Sequence, residues 1–196
     1  FIAFMQILLR TIFLAITLLT SATVVAYDFK RVLDQHIEPS YKALSRSTST
    51  LLESANAYCK SAKPADLATT QQRFNDAFMA WQAVQHIRFG PIQYASREHR
   101  FQLWPDKRGS VGKHLAAILD EAGAVNNADD LRGRSVAVQG FGALEQLLYQ
   151  DTSIDANACS MVRAIAENLA KMSAEVYRDW MQSDSPYAQF FVAPSE

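Results

Sequence analysis

The carboxylate of Glu145 has the clearest setting for chemistry in this sequence. It lies in the segment GFGALEQLLY, residues 140–149, three positions after Gly142. Residues three apart are neighbours on a helix, so the missing side chain at Gly142 leaves space beside the carboxylate. A glycine inside a helix costs about 1 kcal/mol relative to alanine, so keeping both Gly140 and Gly142 indicates close approach by another backbone or a ligand. Alternatively, Gly142 is a helix–helix contact and Glu145 a solvated or hydrogen-bonded acid.

Other side chains that could bind a metal ion are spread along the chain. Hard ions such as ferric iron favour carboxylate, phenolate or imidazole ligands. Besides Glu145, the candidates are Asp106, Tyr149, His36, His86, His99 and His114. No two of the histidines are four residues apart, and none belongs to an HExxH sequence, so no local pattern marks a metal site. No Ser-His-Asp set or reactive cysteine is suggested by the spacing either.

Arg100 and Asp106 allow two interpretations. They form a buried ion pair that orders the surrounding loop, or they line a cavity in which Arg100 holds an anionic ligand and Asp106 positions Arg100 or a metal. His86, on the same predicted helix as Trp81, could approach the gap at Gly142. Both Trp81 and Trp104 are expected in the core.

The elements that must position these residues are helices. Apolar residues recur at spacings of three and four, the pattern of one buried helix face. Ala137, Phe141, Leu144 and Leu148 form one such stripe through the Glu145 segment. Helices are predicted at residues 27–37, 41–62, 66–87, 113–122, 135–149 and 155–182, whereas residues 187–196 contain no predicted element. Long helices joined by short turns predict an all-α antiparallel bundle of the four-helix type.

Residues 88–112 interrupt this helical pattern. Gly90 and Pro91 are strong helix breakers, and the stretch that follows holds aromatic residues together with charged ones. A loop with so many large side chains is expected to pack over the bundle. The fold prediction is therefore a helical bundle with one long packed loop.

Several of these features, in this order, resemble the first half of imelysin-like proteins, a family of bacterial envelope proteins linked to iron uptake and classed by homology with a metallopeptidase. The matching features are Trp81, the break Phe89-Gly-Pro91, Arg100 and the turn Trp104-Pro-Asp106. Segment 140–149 is similar to the family's GxHxxE motif, in which Gly140 and Glu145 match and Gly142 replaces the histidine. The resemblance covers most of the chain after residue 26.

The resemblance implies a fold and a site. Imelysin-like proteins are commonly built from two related helical bundles, of which this chain would contain the first and stop near the second. Residues 27–196 would thus be a helical domain that is incomplete at its C-terminus. The candidate ligand-binding residues are Arg100, Asp106, Gly140, Gly142 and Glu145, with Glu145 as the candidate metal ligand. The candidate cofactor is iron or another divalent or trivalent metal.

Three functions follow from this resemblance. The first is an exported envelope protein that binds a metal or another ligand in connection with iron uptake. The second is an imelysin-type metallopeptidase, which the loss of the motif histidine at Gly142 disfavours, because such chemistry needs fixed metal ligands and a general base. The third is a structural bundle that binds no metal and docks another envelope protein.

Composition and the N-terminal segment bear on location and partners. The formal net charge of −1 and the lack of Lys/Arg clusters give no reason to expect nucleic acid as a partner. Arg10, the apolar run at residues 11–25 and the small residues before position 27 predict a signal peptide, residues 1–26, cleaved after Ala26. No membrane span is then expected in the mature protein. In an exported protein, Cys59 and Cys159 either form a disulfide or remain buried thiols.

Overall fold

The structure, a computed structural model, describes residues 28–121, 123, 125–150, 155–181 and 187–193. The predicted signal peptide, residues 1–26, lies outside them. The helices in chain order are α1 (Phe29–Val32), α2 (Glu38–Ser61), α3 (Pro64–Val84), α4 (Arg97–Phe101), α5 (Ser110–Leu119), α6 (Ala128–Arg132), α7 (Phe141–Tyr149), α8 (Ala156–Met181) and α9 (Tyr187–Val192). A π-helical turn, Leu33–Ile37, joins α1 to α2, and 3₁₀ turns lie at Gly90–Ser96 and Val136–Val138. Within the described ranges the chain contains no strand, which confirms the all-α prediction.

The N-terminal helical segment runs through Pro39 without a break. The backbone N–H of Glu38 donates to the carbonyl of Leu33, five residues back, and Pro39 occupies the first turn of α2, where a missing N–H costs little. The wider turn keeps Leu33 and Ile37 on the buried side. From there one stripe continues along α2 through Tyr41, Leu44, Thr48, Leu51, Ala55 and Tyr58, all of them buried. The predicted helix face is therefore correct, whereas an interruption at residues 38–39 is not found.

Helices α2 and α8 pack against each other in antiparallel directions. A disulfide with a Cα–Cα distance of 5.5 Å joins Cys59, near the end of α2, to Cys159, near the start of α8. Farther along the pair, the hydroxyls of Thr48 and Ser173 lie 2.6 Å apart, so that each buried hydroxyl has a partner. The buried stripe of α8 comprises Val162, Ile165, Leu169, Met172 and Val176. The predicted disulfide and the predicted core face of the last long helix are both confirmed.

Helices α3 and α7 complete the packing around this pair. Helix α3 packs along α2, and α7 contacts both α3 and α8. Phe74 of α3 and Phe141 of α7 meet edge to face, with ring centroids 5.9 Å apart. No helix in the described part of the chain has the length and apolar character needed to cross a membrane.

Two segments differ from the sequence-based expectation. The stretch 88–112 is not wholly irregular, because it contains the Gly90–Ser96 turn, α4 and the start of α5. The tail forms α9, although no element was predicted there. Tyr187 packs edge to face on Trp180 at 4.8 Å, and Phe191 lies 5.7 Å from both Trp180 and Phe89. Tertiary packing of this kind supplies the stability that a helix of six residues lacks by itself.

Candidate functional site

Gly140 marks a close contact between two segments of backbone. A Cβ atom placed at Gly140 would lie 2.2 Å from the carbonyl oxygen of Phe101 and 2.3 Å from that of Arg100. Only a residue without a side chain allows this approach. Gly140 is also the N-cap of α7, so the predicted helix over 135–149 is wrong in its first part, where Val136–Val138 is a separate 3₁₀ turn.

Gly142 has a different environment. It lies in the first turn of α7, and a Cβ atom there would meet the Cγ2 atom of Val111 at 3.6 Å, an ordinary van der Waals distance. Gly142 thus forms a helix–helix contact between α7 and α5, which was the alternative to space for a ligand beside Glu145. Glu145, one turn farther along α7, has an exposed carboxylate. Tyr149 at the end of α7 is 46% exposed, and its hydroxyl donates to the carbonyl of Gln71 at 3.2 Å.

Glu145 stands at the edge of a cleft with a volume of about 390 Å³. The other residues of the wall come from α3 and from the segment after α4, namely Phe78, Gln82, Gln85, Gln102 and Trp104. Trp104 is 74% exposed and presents its indole ring to the cleft, so the expectation that it belongs to the core is wrong. Trp81 is 3% exposed and stacks on Phe101 at 4.7 Å, which confirms its place in the core.

Hydrogen bonds fix the three glutamine side chains of this cleft. The Oε1 atom of Gln102 accepts from the indole N–H of Trp81 at 2.9 Å and from Nε2 of Gln82 at 3.4 Å. Gln85 in turn donates to Oε1 of Gln82. Two of the three amide oxygens are therefore already used within the protein. These glutamines were not among the predicted site residues; the signal available was the spacing of Phe78, Gln82 and Gln85 along one side of α3.

A smaller recess of about 100 Å³ lies next to the cleft. The recess shares Gln85, Gln102 and Trp104 with the cleft and adds Trp81, Arg88, Glu98 and His99. Glu98 lies 3.6 Å from the guanidinium of Arg88 and 3.3 Å from Nε2 of His99. Because the two cavities share these three wall residues, we refer to them together as the groove; Glu145 belongs to the wall of the cleft, and the Arg88–Glu98–His99 cluster belongs to the wall of the recess.

Arg100 and Asp106 do not pair with each other. Arg100 donates to Oε1 of Gln139 at 2.6 Å and to Oδ1 of Asn168 at 3.2 Å. Burial lowers the pKa of the Arg100 guanidinium, and the nearby positive charge of Arg132 lowers it further. The side chain thus holds α4 against α8 and the segment before α7. The predicted ion pair is wrong, and neither residue belongs to the walls of the two cavities.

Asp106 instead caps the N-terminus of α5. Its carboxylate accepts from the backbone N–H groups of Ser110 at 2.7 Å and Val111 at 2.9 Å. These bonds, first that from Val111 and then that from Ser110, hold the pKa of Asp106 below its usual value. Because α5 carries Val111, the residue that faces Gly142, Asp106 supports the site indirectly.

A second charged cluster lies beside α4 and was not predicted. Arg97 is 9% exposed and binds Asp179 at 2.6 Å and Glu175 at 3.0 Å, while Arg132 binds the other oxygen of Glu175 at 2.9 Å. Burial acts to raise the pKa of Glu175, but the hydrogen bonds from Arg132 and Arg97 outweigh it and lower the pKa overall. This network connects α4 and α6 to α8, so its role here is to hold the groove-forming segment in place.

Comparison with known proteins identifies the family. The sequence model for imelysin matches residues 37–196, most of the chain. This protein belongs to the imelysin family. The iron-regulated protein A of Synechococcus elongatus is 25% identical to it over 168 residues, which are 85% of this chain and 44% of that protein.

Two solved structures share the fold. An imelysin-like protein from Psychrobacter arcticum superposes with a TM-score of 0.76 at 22% identity, covering 84% of this chain and 53% of that one. A putative iron-regulated protein A precursor from Parabacteroides distasonis gives a TM-score of 0.62 at 19% identity, covering 79% of this chain and 46% of that one. The chain spans about half the length of these relatives.

The three positions of the imelysin-type motif have different surroundings in the fold. Its first glycine, Gly140, provides the close backbone contact with α4. Gly142, at the position of the motif histidine, faces Val111, and a Cβ atom at Gly142 would make an ordinary van der Waals contact with it. The motif glutamate, Glu145, faces the cleft. The three positions therefore have separate structural roles, and in this chain only the third presents a chemical group to the groove.

The remaining histidines lie elsewhere. His86 does not approach Gly142, because its ring meets that of His36. His114 is exposed on α5. Within the described ranges, no three His, Cys, Asp or Glu side chains converge closely enough to hold a metal ion together.

Proposed function

We propose that this imelysin-family protein is an exported envelope protein that binds a cationic ligand in the groove beside Glu145, in connection with iron acquisition. The observation that carries the proposal is the position of the Glu145 carboxylate, exposed at the edge of a cleft whose other polar groups are neutral amides. Within the described part of the chain, no cationic side chain forms an ion pair with it. A cation entering the cleft would meet this charge without displacing a protein partner.

The donor set favours a cation that brings most of its own ligands. Calcium, for example, is a hard metal ion that takes about six to eight oxygen ligands when a protein binds it directly, and several of these ligands are carboxylates. Here the cleft offers one carboxylate, and the amide oxygens of Gln82 and Gln102 already accept hydrogen bonds. A hydrated or chelated metal ion fits this better than a bare one, because amide N–H groups can donate to its ligands. The exposed ring of Trp104 adds a flat face that attracts cations.

Two observations support the iron connection and export. The relatives named above include an iron-regulated protein A, which motivates iron as the first ligand class to test. The Cys59–Cys159 disulfide is typical of proteins that fold in an oxidising compartment. The predicted signal peptide is consistent with the same location and is tested by sequencing the N-terminus of the protein recovered from the periplasm, which should begin at Tyr27.

The decisive experiment compares Glu145→Gln with a matched control. Calorimetric titrations with Fe²⁺ under anaerobic conditions and with Zn²⁺ would use the disulfide-bonded protein. Glu53, an exposed glutamate on α2, provides the control Glu53→Gln. Loss of a hydrogen bond to a charged group costs about 1.5–3 kcal/mol, so Glu145→Gln should weaken binding by at least roughly tenfold. Glu53→Gln should bind as the wild type does.

Other outcomes would favour the alternative functions. Equal affinity in Glu145→Gln and the wild type would refute a cation site at Glu145. Saturable binding of another envelope protein with no metal dependence would support the partner-docking bundle. Peptide cleavage that a chelator stops and that Glu145→Gln abolishes would support the peptidase.

A further inference from the structure

Two histidines that are far apart in the sequence meet at the surface of the fold. His36 lies in the π-helical turn before α2, and His86 lies two residues beyond the end of α3. Their Nε2 atoms are 2.9 Å apart. The ring centroids are 5.1 Å apart, so the rings meet nitrogen to nitrogen rather than face over face. The two nitrogens point at each other and share one hydrogen bond, whose donor is set by the tautomers of the two rings.

We propose that His36 and His86 form a two-histidine site for a divalent transition-metal ion of the copper, nickel and zinc class, with water completing the coordination. Neutral imidazole is a common ligand for these ions. At metal–nitrogen distances of about 2.0–2.1 Å, two ligand nitrogens lie about 2.9 Å apart at a right angle and about 3.3 Å apart at a tetrahedral angle. The observed separation of 2.9 Å is within reach of these values, and each ring must turn from its end-to-end contact before both lone pairs point at one ion.

The backbone on either side of this pair is anchored, while the rings are free to adjust. Ile37, next to His36, is completely buried, and Ile87, next to His86, is 3% exposed. Each histidine thus directly precedes a core residue that fixes its position in the chain. The two side chains are exposed, so their rings can turn to direct both lone pairs at one ion, and solvent can supply the remaining ligands.

The wider turn that carries His36 is the local feature that sets its direction. A π-helical turn inserts one extra residue relative to an α-helix, and such turns often occur at functional sites. Here the turn keeps Leu33 and Ile37 in the core and leaves His36 facing the end of α3. This pair shares no residue with the walls of the Glu145 groove, so the two sites can be tested separately.

The test is metal titration of the untagged, disulfide-bonded protein. Cu²⁺, Ni²⁺ and Zn²⁺ would each be titrated calorimetrically into the wild type, His36→Gln and His86→Gln. His114→Gln is the control, since His114 is likewise an exposed histidine on the described surface. We expect one ion per chain at the histidine pair in the wild type, with its affinity reduced by at least about tenfold in either single variant and unchanged in His114→Gln. For Zn²⁺ this ion is in addition to the one proposed at Glu145. Thermal unfolding without metal should be the same for all four proteins.

A spectroscopic measurement gives a second, independent result. The electron paramagnetic resonance spectrum of the Cu²⁺-loaded wild type should show two equivalent imidazole nitrogens, and each single variant should show at most one. Equal affinities in the wild type, His36→Gln and His86→Gln would overturn the proposal, as would a loss of binding in His114→Gln. Binding that depends on Glu145 but not on the two histidines would overturn it while supporting the groove.

Discussion

Replacing Gly140 with alanine tests the tightest of the glycine contacts in the described part of the chain. The Cβ atom of Gly140→Ala would lie 2.2 and 2.3 Å from two carbonyl oxygens of α4, whereas ordinary van der Waals contacts begin at 3.4 Å. Relief of this overlap requires a movement of about 1.2 Å by backbone rather than by the end of a flexible side chain. Either α7 moves away from α4, or the end of α4 is displaced.

The expected cost is near the upper end for overpacked substitutions. Such changes destabilise proteins by about 1–3 kcal/mol, and here the neighbour is backbone, so we expect a loss of about 3 kcal/mol. For a chain of this size, 1 kcal/mol corresponds to a shift in Tm of about 2–4 °C, which gives a decrease of roughly 6–12 °C. The conformation at Gly140 is extended, with φ at −135°, so the cost comes from the overlap and not from the backbone angles.

Gly142→Ala is the matched control, two residues away. Its Cβ atom would meet only the side chain of Val111 at 3.6 Å, and alanine favours a helix over glycine by up to about 1 kcal/mol. Urea and thermal unfolding followed by circular dichroism, with the disulfide intact, would therefore show a lower midpoint for Gly140→Ala and an equal or higher one for Gly142→Ala. Equal stability of Gly140→Ala and the wild type would refute the close contact.

Three further predictions concern the disulfide, the cap of α5 and the altered motif. The double variant Cys59→Ser with Cys159→Ser should lose about 2–4 kcal/mol in urea unfolding, because the bond closes a loop with a sequence separation of 100; a loss below 1 kcal/mol would contradict this. The pKa of Asp106 is lowered in the fold, so its stabilising effect is complete above its unfolded pKa of about 3.9 and is lost as the pH falls through the folded value. Asp106→Asn should thus be less stable than the wild type at pH 7 and approach it in acid; a constant difference from pH 7 to pH 2 would show that the charge is not involved. Gly142→His restores the motif histidine one turn before Glu145 and should raise the affinity for Zn²⁺ in calorimetry; an unchanged affinity would mean that the two positions do not share an ion.

The long helices could be predicted because the spacing of apolar residues indicates which face of each helix is buried. The residues predicted for the stripe on α2 are buried except Ala62, which is the C-cap of that helix, and those predicted for α8 are buried except the half-buried Ala158. The one threonine in these stripes, Thr48, has a serine partner across the interface. The same reasoning placed Glu145 on a different side of α7 from the apolar stripe, and its carboxylate is exposed. It also predicted the disulfide, since both cysteines fall on helices that become neighbours.

The break before α7 could not be found in this way. Ala137 and Phe141 are four residues apart and both are buried, so the apolar stripe continues across the point where the helix starts anew at Gly140. Periodicity reports which side of the chain is buried, and it does not report whether the backbone hydrogen bonds are continuous. Helix α9 was missed for a related reason, because its six residues depend on packing against Trp180.

The groove and the histidine pair depend on tertiary structure that local patterns do not encode. Trp104 has the residue type of a core side chain, yet it lies 74% exposed beside Glu145 because the segment after α4 crosses the end of α3. The glutamines of α3 are polar residues of a type that is common on any solvent-facing side of a helix. His36 and His86 are 50 residues apart, and only the path of α2 and α3 brings them together.

The bond between Cys59 and Cys159 turns the middle of the chain into a covalent ring. Every residue that forms the walls of the groove, from Phe78 to Glu145, lies within this ring. A single cut by a protease in an exposed connection of the ring, such as the one between α4 and α5, leaves both pieces joined as long as the protein is oxidised. A cut within the ring therefore releases no part of the groove-forming segments until the disulfide is reduced.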